Sequence, residues 1–157
     1  MKFATALVTG LVSLAPLASA RITGITFPTK IGINEVFNVT VKSQNDIQSI
    51  ADIAFAFGVI QPQYATPGTL GMYLVGESFL GPNFSNQISD FIVPVGPIPD
   101  YVPKGETVFN AALFSLLGSR FAPTTLIYNA TVTLQDKTNY SQTITTTIPL
   151  TFDGFHR

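Results

Sequence analysis

The sequence predicts an all-β fold, an immunoglobulin-like antiparallel β-sandwich of seven or eight strands with no disulfide. Three observations carry this reading. Short runs of β-branched and aromatic residues recur along the chain, each bounded by Pro, Gly or Asn. Several runs alternate apolar and polar residues at period two, as half-buried strands do. Cysteine and tryptophan are both absent, so the fold stands on its core, without the disulfide and buried Trp of antibody domains. A Greek-key barrel or a jelly roll would satisfy the same pattern.

The elements follow in order. Met1-Lys2, an apolar run from Phe3 to Leu17 and an Ala18-Ser19-Ala20 ending are the three parts of a secretory signal peptide. Cleavage is expected before Arg21, which leaves residues 21–157 as a single domain. The apolar run is too short to span a membrane. Arg21 to Phe27 reads as a first strand stopped by Pro28, and Phe37, Val39 and Val41 alternate with Asn38, Thr40 and Lys42 in a second. The organising stretch is Ile47 to Gly58. At period two it sets Ile47, Ala51, Ile53, Phe55 and Phe57 on a packed face, with Asp52, Ala54 and Ala56 on a lightly covered one. A helix would also fit this short run, and the β-rich flanks favour the strand.

Val59 to Gly71, with Pro62, Pro67 and Gly68, reads as a long loop. Met72 to Leu80 is extended, Gln87 to Val93 is a shorter strand, and Pro94 to Glu106 is an irregular proline-rich crossing. Glu106 to Leu117 is apolar on both parities and belongs at the centre of the sheet. Leu126, Tyr128, Ala130, Val132 and Leu134 alternate with Ile127, Asn129, Thr131 and Thr133, and a last threonine-rich run reaches Phe152.

The charge balance excludes several partners. Eight basic residues meet nine acidic ones, a formal charge of −1, and losing Lys2 with the leader lowers it by one more. No basic cluster exists to hold nucleic acid or an anionic membrane, and no further apolar segment reaches membrane length. No cofactor is implied, and a monomer is expected. A disulfide-free fold is also compatible with action in the reducing cytoplasm of a host cell.

Catalytic apparatus is sparse, and the protein reads as a non-enzyme. The one histidine, His156, is the penultimate residue, and Gly76-Glu77-Ser78 lacks the second glycine of a nucleophile elbow. Asp46 and Asp52 share a parity but stand roughly 20 Å apart along a strand, too far for a carboxylate pair. Each acid is expected to be a solvated loop or turn residue.

Two residue sets stand out as surface features. Asn38, Asn83, Asn129 and Asn139 each head an N-glycosylation sequon, and Asn38 and Asn129 fall on the polar parity of their strands. Tyr64, Tyr73 and Tyr101 lie in or beside the two proline-rich loops. They are the candidate partner contacts, because tyrosine offers contact area at low entropic cost.

Arg21-Ile22-Thr23-Gly24-Ile25, Ile47 to Gly58, Pro67 to Gly71, Ser78-Phe79-Leu80-Gly81-Pro82, Val102 to Glu106, Ala112 to Gly118 and Asn129 to Thr133 occur here in order. In that order and spacing the chain resembles the necrosis-inducing secreted protein family of fungal effectors, to about Leu134. The threonine-rich extension from Gln135 to Arg157 lies outside the resemblance. The resemblance implies a protein secreted during plant colonisation. It would associate with plant kinases attached to pattern-recognition receptors, dampen immune signalling and in some members provoke cell death. A secreted module that binds cell-wall polysaccharide is the alternative from another class.

Overall fold

The computed structural model describes residues 19–147 and 150–152. Residues 1–18, which carry most of the expected signal peptide, and the tail holding His156 lie outside the described residues. Among the described residues the fold is almost wholly β, with nine strands rather than seven or eight. They are β1 (Ser19–Gly32), β2 (Phe37–Asp46), β3 (Ile50–Ile60), β4 (Tyr73–Phe79), β5 (Phe91–Val95), β6 (Gly105–Leu117), β7 (Ala122–Gln135), β8 (Asn139–Thr146) and β9 (Leu150–Phe152). One short helix, α1 (Gly81–Phe84), follows β4, and among the described residues no helix is long and apolar enough to cross a membrane.

Hydrogen bonding runs through one path, β4-β3-β6-β7-β1-β2-β5. Its two ends approach one another, with Gly76 of β4 facing the backbone nitrogen of Gly96 just past β5, so the sheet nearly closes like a barrel. β1 makes the turn possible by changing partner along its length. Residues 19–26 pair antiparallel with β2, residues 30–32 run parallel to β7, and residues 25–30 carry β8. Pro28 does not end β1 as expected. It falls where the strand is between the β2 and β7 pairings, a position proline tolerates.

β6 lies between β3 and β7, as its apolar residues on both parities require. One core fills the enclosure. Phe109 of β6 meets Phe27 of β1 with ring centroids 5.2 Å apart, Phe37 of β2 at 5.6 Å and Phe57 of β3 at 6.2 Å. Around these rings pack Ile25, Val39, Phe55, Leu113, Val132 and Leu134, all buried. Each side chain of this size contributes about 1.5–3 kcal/mol on leaving water, which is how the fold manages without disulfides.

The expected phase of the organising strand holds over only part of its length. Phe55 and Phe57 are buried, but Ile47 precedes β3 and is fully exposed, while Ile50 and Asp52 point inward. A register shift between Asp52 and Ala54 against β6 is the reason, because one extra residue moves every side chain beyond it to the other face. The threonine-rich extension, in turn, contributes β8 and β9, which add to β1 and β7. Gly24 lets β8 approach, since a Cβ there would stand 2.6 Å from the Thr146 carbonyl oxygen.

Candidate functional site

The segment between β3 and β4 is long but built. A 3-10 turn at Pro62–Tyr64 opens it, with the Ala65 N–H donating to the Pro62 carbonyl at 3.2 Å. Thr69 closes a second turn by donating its N–H and its hydroxyl to the Thr66 carbonyl. The return to the sheet depends on Gly71, whose φ of +110° and position 2.6 Å (from an added Cβ) to the Val59 carbonyl oxygen admit no side chain. Buried Asn110 of β6 then holds the loop down by donating to the Leu70 carbonyl at 3.1 Å.

The crossing from β5 to β6 is pinned in a comparable way. Ile98 and Val102 are core residues, and the Ile98 carbonyl accepts the Asn34 N–H at 2.8 Å. Lys104 is paired with Asp136 at 2.5 Å on the surface. Neither proline-rich segment is a slack connection, so both present their side chains in defined places.

What they present is tyrosine. Tyr73 begins β4, and its ring lies 5.9 Å from that of Tyr101 in the second loop. Tyr64 and Tyr73 line one groove of ≈ 430 Å³ together with Gln61, Gln63, Met72 and Pro103. Tyr64 and Tyr101 are 60% and 69% exposed, so their rings are offered to solvent rather than spent on the core. The three tyrosines singled out from the sequence therefore converge on one surface. No lining residue of the groove is ionisable except tyrosine itself, so recognition there rests on shape, apolar area and neutral hydrogen bonds.

The sequon asparagines lie elsewhere. Asn38, Asn83, Asn129 and Asn139 are all exposed, and none lines the tyrosine groove. The Asn38 N–H donates to the hydroxyl of Tyr140, the residue after Asn139, at 2.9 Å. Asn129 borders a crevice beneath the 65–68 turn.

The acids are not all solvated, contrary to expectation. Asp52 is 3% exposed. Its carboxylate accepts the Ser115 hydroxyl at 2.5 Å and the Ile22 N–H at 3.3 Å, and Tyr128 donates its hydroxyl to the Ile22 carbonyl at 3.2 Å. Burial pushes the Asp52 carboxyl above its ordinary range, against the pull of those two donors. Burial, reinforced by the Asp52 charge, pushes Tyr128 up to about 12. This cluster ties the start of β1 to β3, β6 and β7. It was hidden from the sequence because Asp52 stands inward only through the register shift that follows it. Glu35 is committed elsewhere, with a hydrogen bond from Thr138 holding its carboxyl below the usual range. Among the described residues no three His, Cys, Asp or Glu side chains converge as a metal site would need.

Comparison with known proteins matches residues 18–133 to the model of the Nis1 family. The chain is 42% identical over 139 residues to necrosis-inducing secreted protein 1 of Colletotrichum orbiculare, covering 88% of this chain and 84% of that one. It is 39% identical over 126 residues to the protein of the same name from Colletotrichum higginsianum, covering 80% and 86%. The family model covers the stretch that carries the resemblance, Arg21 to about Leu134.

Proposed function

Since the chain belongs to the Nis1 family, we propose that it is a secreted fungal effector that provokes plant cell death and suppresses host immune signalling by binding receptor-associated kinases. Family membership carries the secreted, necrosis-inducing part of this reading. The kinase-binding part rests on the family resemblance, and the convergence of Tyr64, Tyr73 and Tyr101 on a rigidly held, uncharged groove supports a contact surface for it. Exposed aromatic rings on a preorganised surface are what protein interfaces use as anchors. The protein acts as a monomeric, non-catalytic binder, and its cysteine-free fold keeps its stability if it enters the reducing host cytoplasm. Asn38, Asn83, Asn129 and Asn139 carry the glycans, away from the groove.

The fold belongs to the same reading as an immunoglobulin-like sandwich. What supports it is the partner change of β1 between β2 and β7, with β5-β2 and β7-β6-β3-β4 packed on one core. A second functional reading, polysaccharide binding, draws on the exposed rings of Tyr64 and Tyr101, and a pull-down on chitin and plant-wall glucans separates it from the first.

The test of the main reading is made in leaves. Residues 21–157 are supplied as wild type and as a Tyr64→Ala/Tyr101→Ala double variant, with cell death and an elicitor-triggered oxidative burst as readouts. The wild type is expected to reduce the burst and the variant to leave it intact. An undiminished burst with folded wild-type protein would rule out immune suppression by this protein.

A further inference from the structure

Every sheet that does not fully close has edges, and here they are chemically unequal. β5, at one end of the strand path, carries Pro94 at the fourth of its five positions, which breaks its row of N–H donors. β8, added outside β1, presents Ser141, Gln142, Thr143 and Thr145, a mostly polar edge in which Tyr140 and Ile144 are the exposed apolar side chains. β4, at the other end of the path, has neither protection. It contains no proline and no lysine, and among the described residues it pairs with β3 alone.

The outward side of β4 is apolar around a single charge. Leu74 is 65% exposed and Phe79 73%, and Glu77 stands between them on the same face. The cross-strand partners of Glu77 and Phe79 are Ala56 and Ala54, and beyond these on β6 lie Ala112 and Phe114. Alanines thus floor a trough of ≈ 400 Å³ walled by Phe79 and Phe114, with the Glu77 carboxylate at its rim. Gly96, just past β5, comes close to β4 at Gly76, and among the described residues no strand other than β3 pairs with the Glu77–Phe79 half of β4.

We propose that the Glu77–Phe79 edge of β4 is a strand-addition site for an extended partner segment that places a basic side chain opposite Glu77 and an apolar one opposite Phe79. An unpaired row of backbone groups is complemented by another extended backbone, which selects a strand over a helix as occupant. Side chains on an added strand lie opposite those of β4 on the same face, so the Glu77 carboxylate selects a cation there and the Phe79 ring selects apolar area. The partner's apolar side chain would lean over Phe79 into the alanine-floored trough. This site is separate from the tyrosine groove and does not depend on the kinase reading.

The experiment uses the full secreted chain, isotopically labelled, titrated with short acetylated peptides that alternate valine with either lysine or glutamate. Amide shift changes and slowed hydrogen exchange confined to β4 are expected with the lysine series. Methylating alternate peptide nitrogens is expected to abolish them, because the backbone bonds are then lost. Glu77→Lys is expected to weaken the lysine series about fivefold and to confer binding of the glutamate series. Because Glu77 is exposed, that variant is expected to keep the wild-type melting temperature. Four results would overturn the proposal. They are shift changes centred on β5 or β8, undiminished binding by methylated peptides, no charge swap with Glu77→Lys, and self-association of the chain through β4 in place of peptide binding.

Discussion

Replacing Asp52 tests whether the polar cluster under β1 is a structural tie. Asp52→Ala removes an acceptor that serves the Ser115 hydroxyl and the Ile22 N–H inside the fold. Hydrogen bonds to a charged group contribute about 1.5–3 kcal/mol each, and donors left unpaired in the interior cost about 1–3 kcal/mol. Against this, the variant no longer has to bury a carboxylate, which offsets part of the loss. The expected net destabilisation is about 2–4 kcal/mol, a fall in melting temperature on the order of 10 °C. Asp52→Asn keeps an acceptor for Ser115 but turns N–H toward N–H at Ile22, so about 1–2 kcal/mol is expected.

The pH dependence has a definite sign. Burial raises the Asp52 pKa above its ordinary value of 3.8, so above that pH the folded state holds more protons than the unfolded one. The Asp52 contribution to stability therefore falls as pH rises through the raised value. Asn cannot titrate, so the gap between Asp52→Asn and wild type is expected to narrow from pH 4 to pH 8. Asp90 and Asp136, held low by hydrogen bonds from Lys42 and Lys104, act in the opposite direction and are common to both proteins, so they cancel in the difference. Thermal unfolding by circular dichroism across that range is the assay. A wild-type melting temperature for Asp52→Ala at neutral pH, or a gap that widens with pH, would show that Asp52 is no structural tie.

Two further substitutions test the scaffold. Gly71→Ala forces a Cβ against the Val59 carbonyl at a φ of +110°, and should cost at least about 1–3 kcal/mol and loosen the Tyr64 loop, read as faster proteolysis there. Phe109→Ala empties the point where Phe27, Phe37 and Phe57 meet, and a loss of about 3–5 kcal/mol in denaturant unfolding is expected.

Much of the fold was legible because burial writes itself in period two. Leu126, Tyr128, Ala130, Val132 and Leu134 are buried, while Asn129, Thr131 and Thr133 are exposed, as the alternation of β7 requires. β6 was legible as central because both its parities are apolar. Register shifts leave no such trace. The one after Asp52 turned an apparently solvated acid inward, and the proline inside β1 was hidden by a change of partner that no local pattern encodes. The strand expected at Gln87 to Val93 lies later in the chain, since β5 begins at Phe91 and includes Pro94, which an edge strand accepts. The three tyrosines could be chosen one by one from their places in or beside the proline-rich loops. That Tyr73 meets Tyr101 across two loops depends on the sheet ends curling together, which is a property of topology.

The proposed binding of a plant receptor-associated kinase at the tyrosine groove, with loss of kinase activity, is tested most directly with purified components. Residues 21–157 are titrated against a purified kinase domain of that class while autophosphorylation is followed. Saturable binding with reduced phosphorylation is expected, both weakened by alanine at Tyr64, Tyr73 and Tyr101. Absence of binding by glycosylated and sugar-free protein alike, or binding that the three alanines leave unchanged, would contradict it.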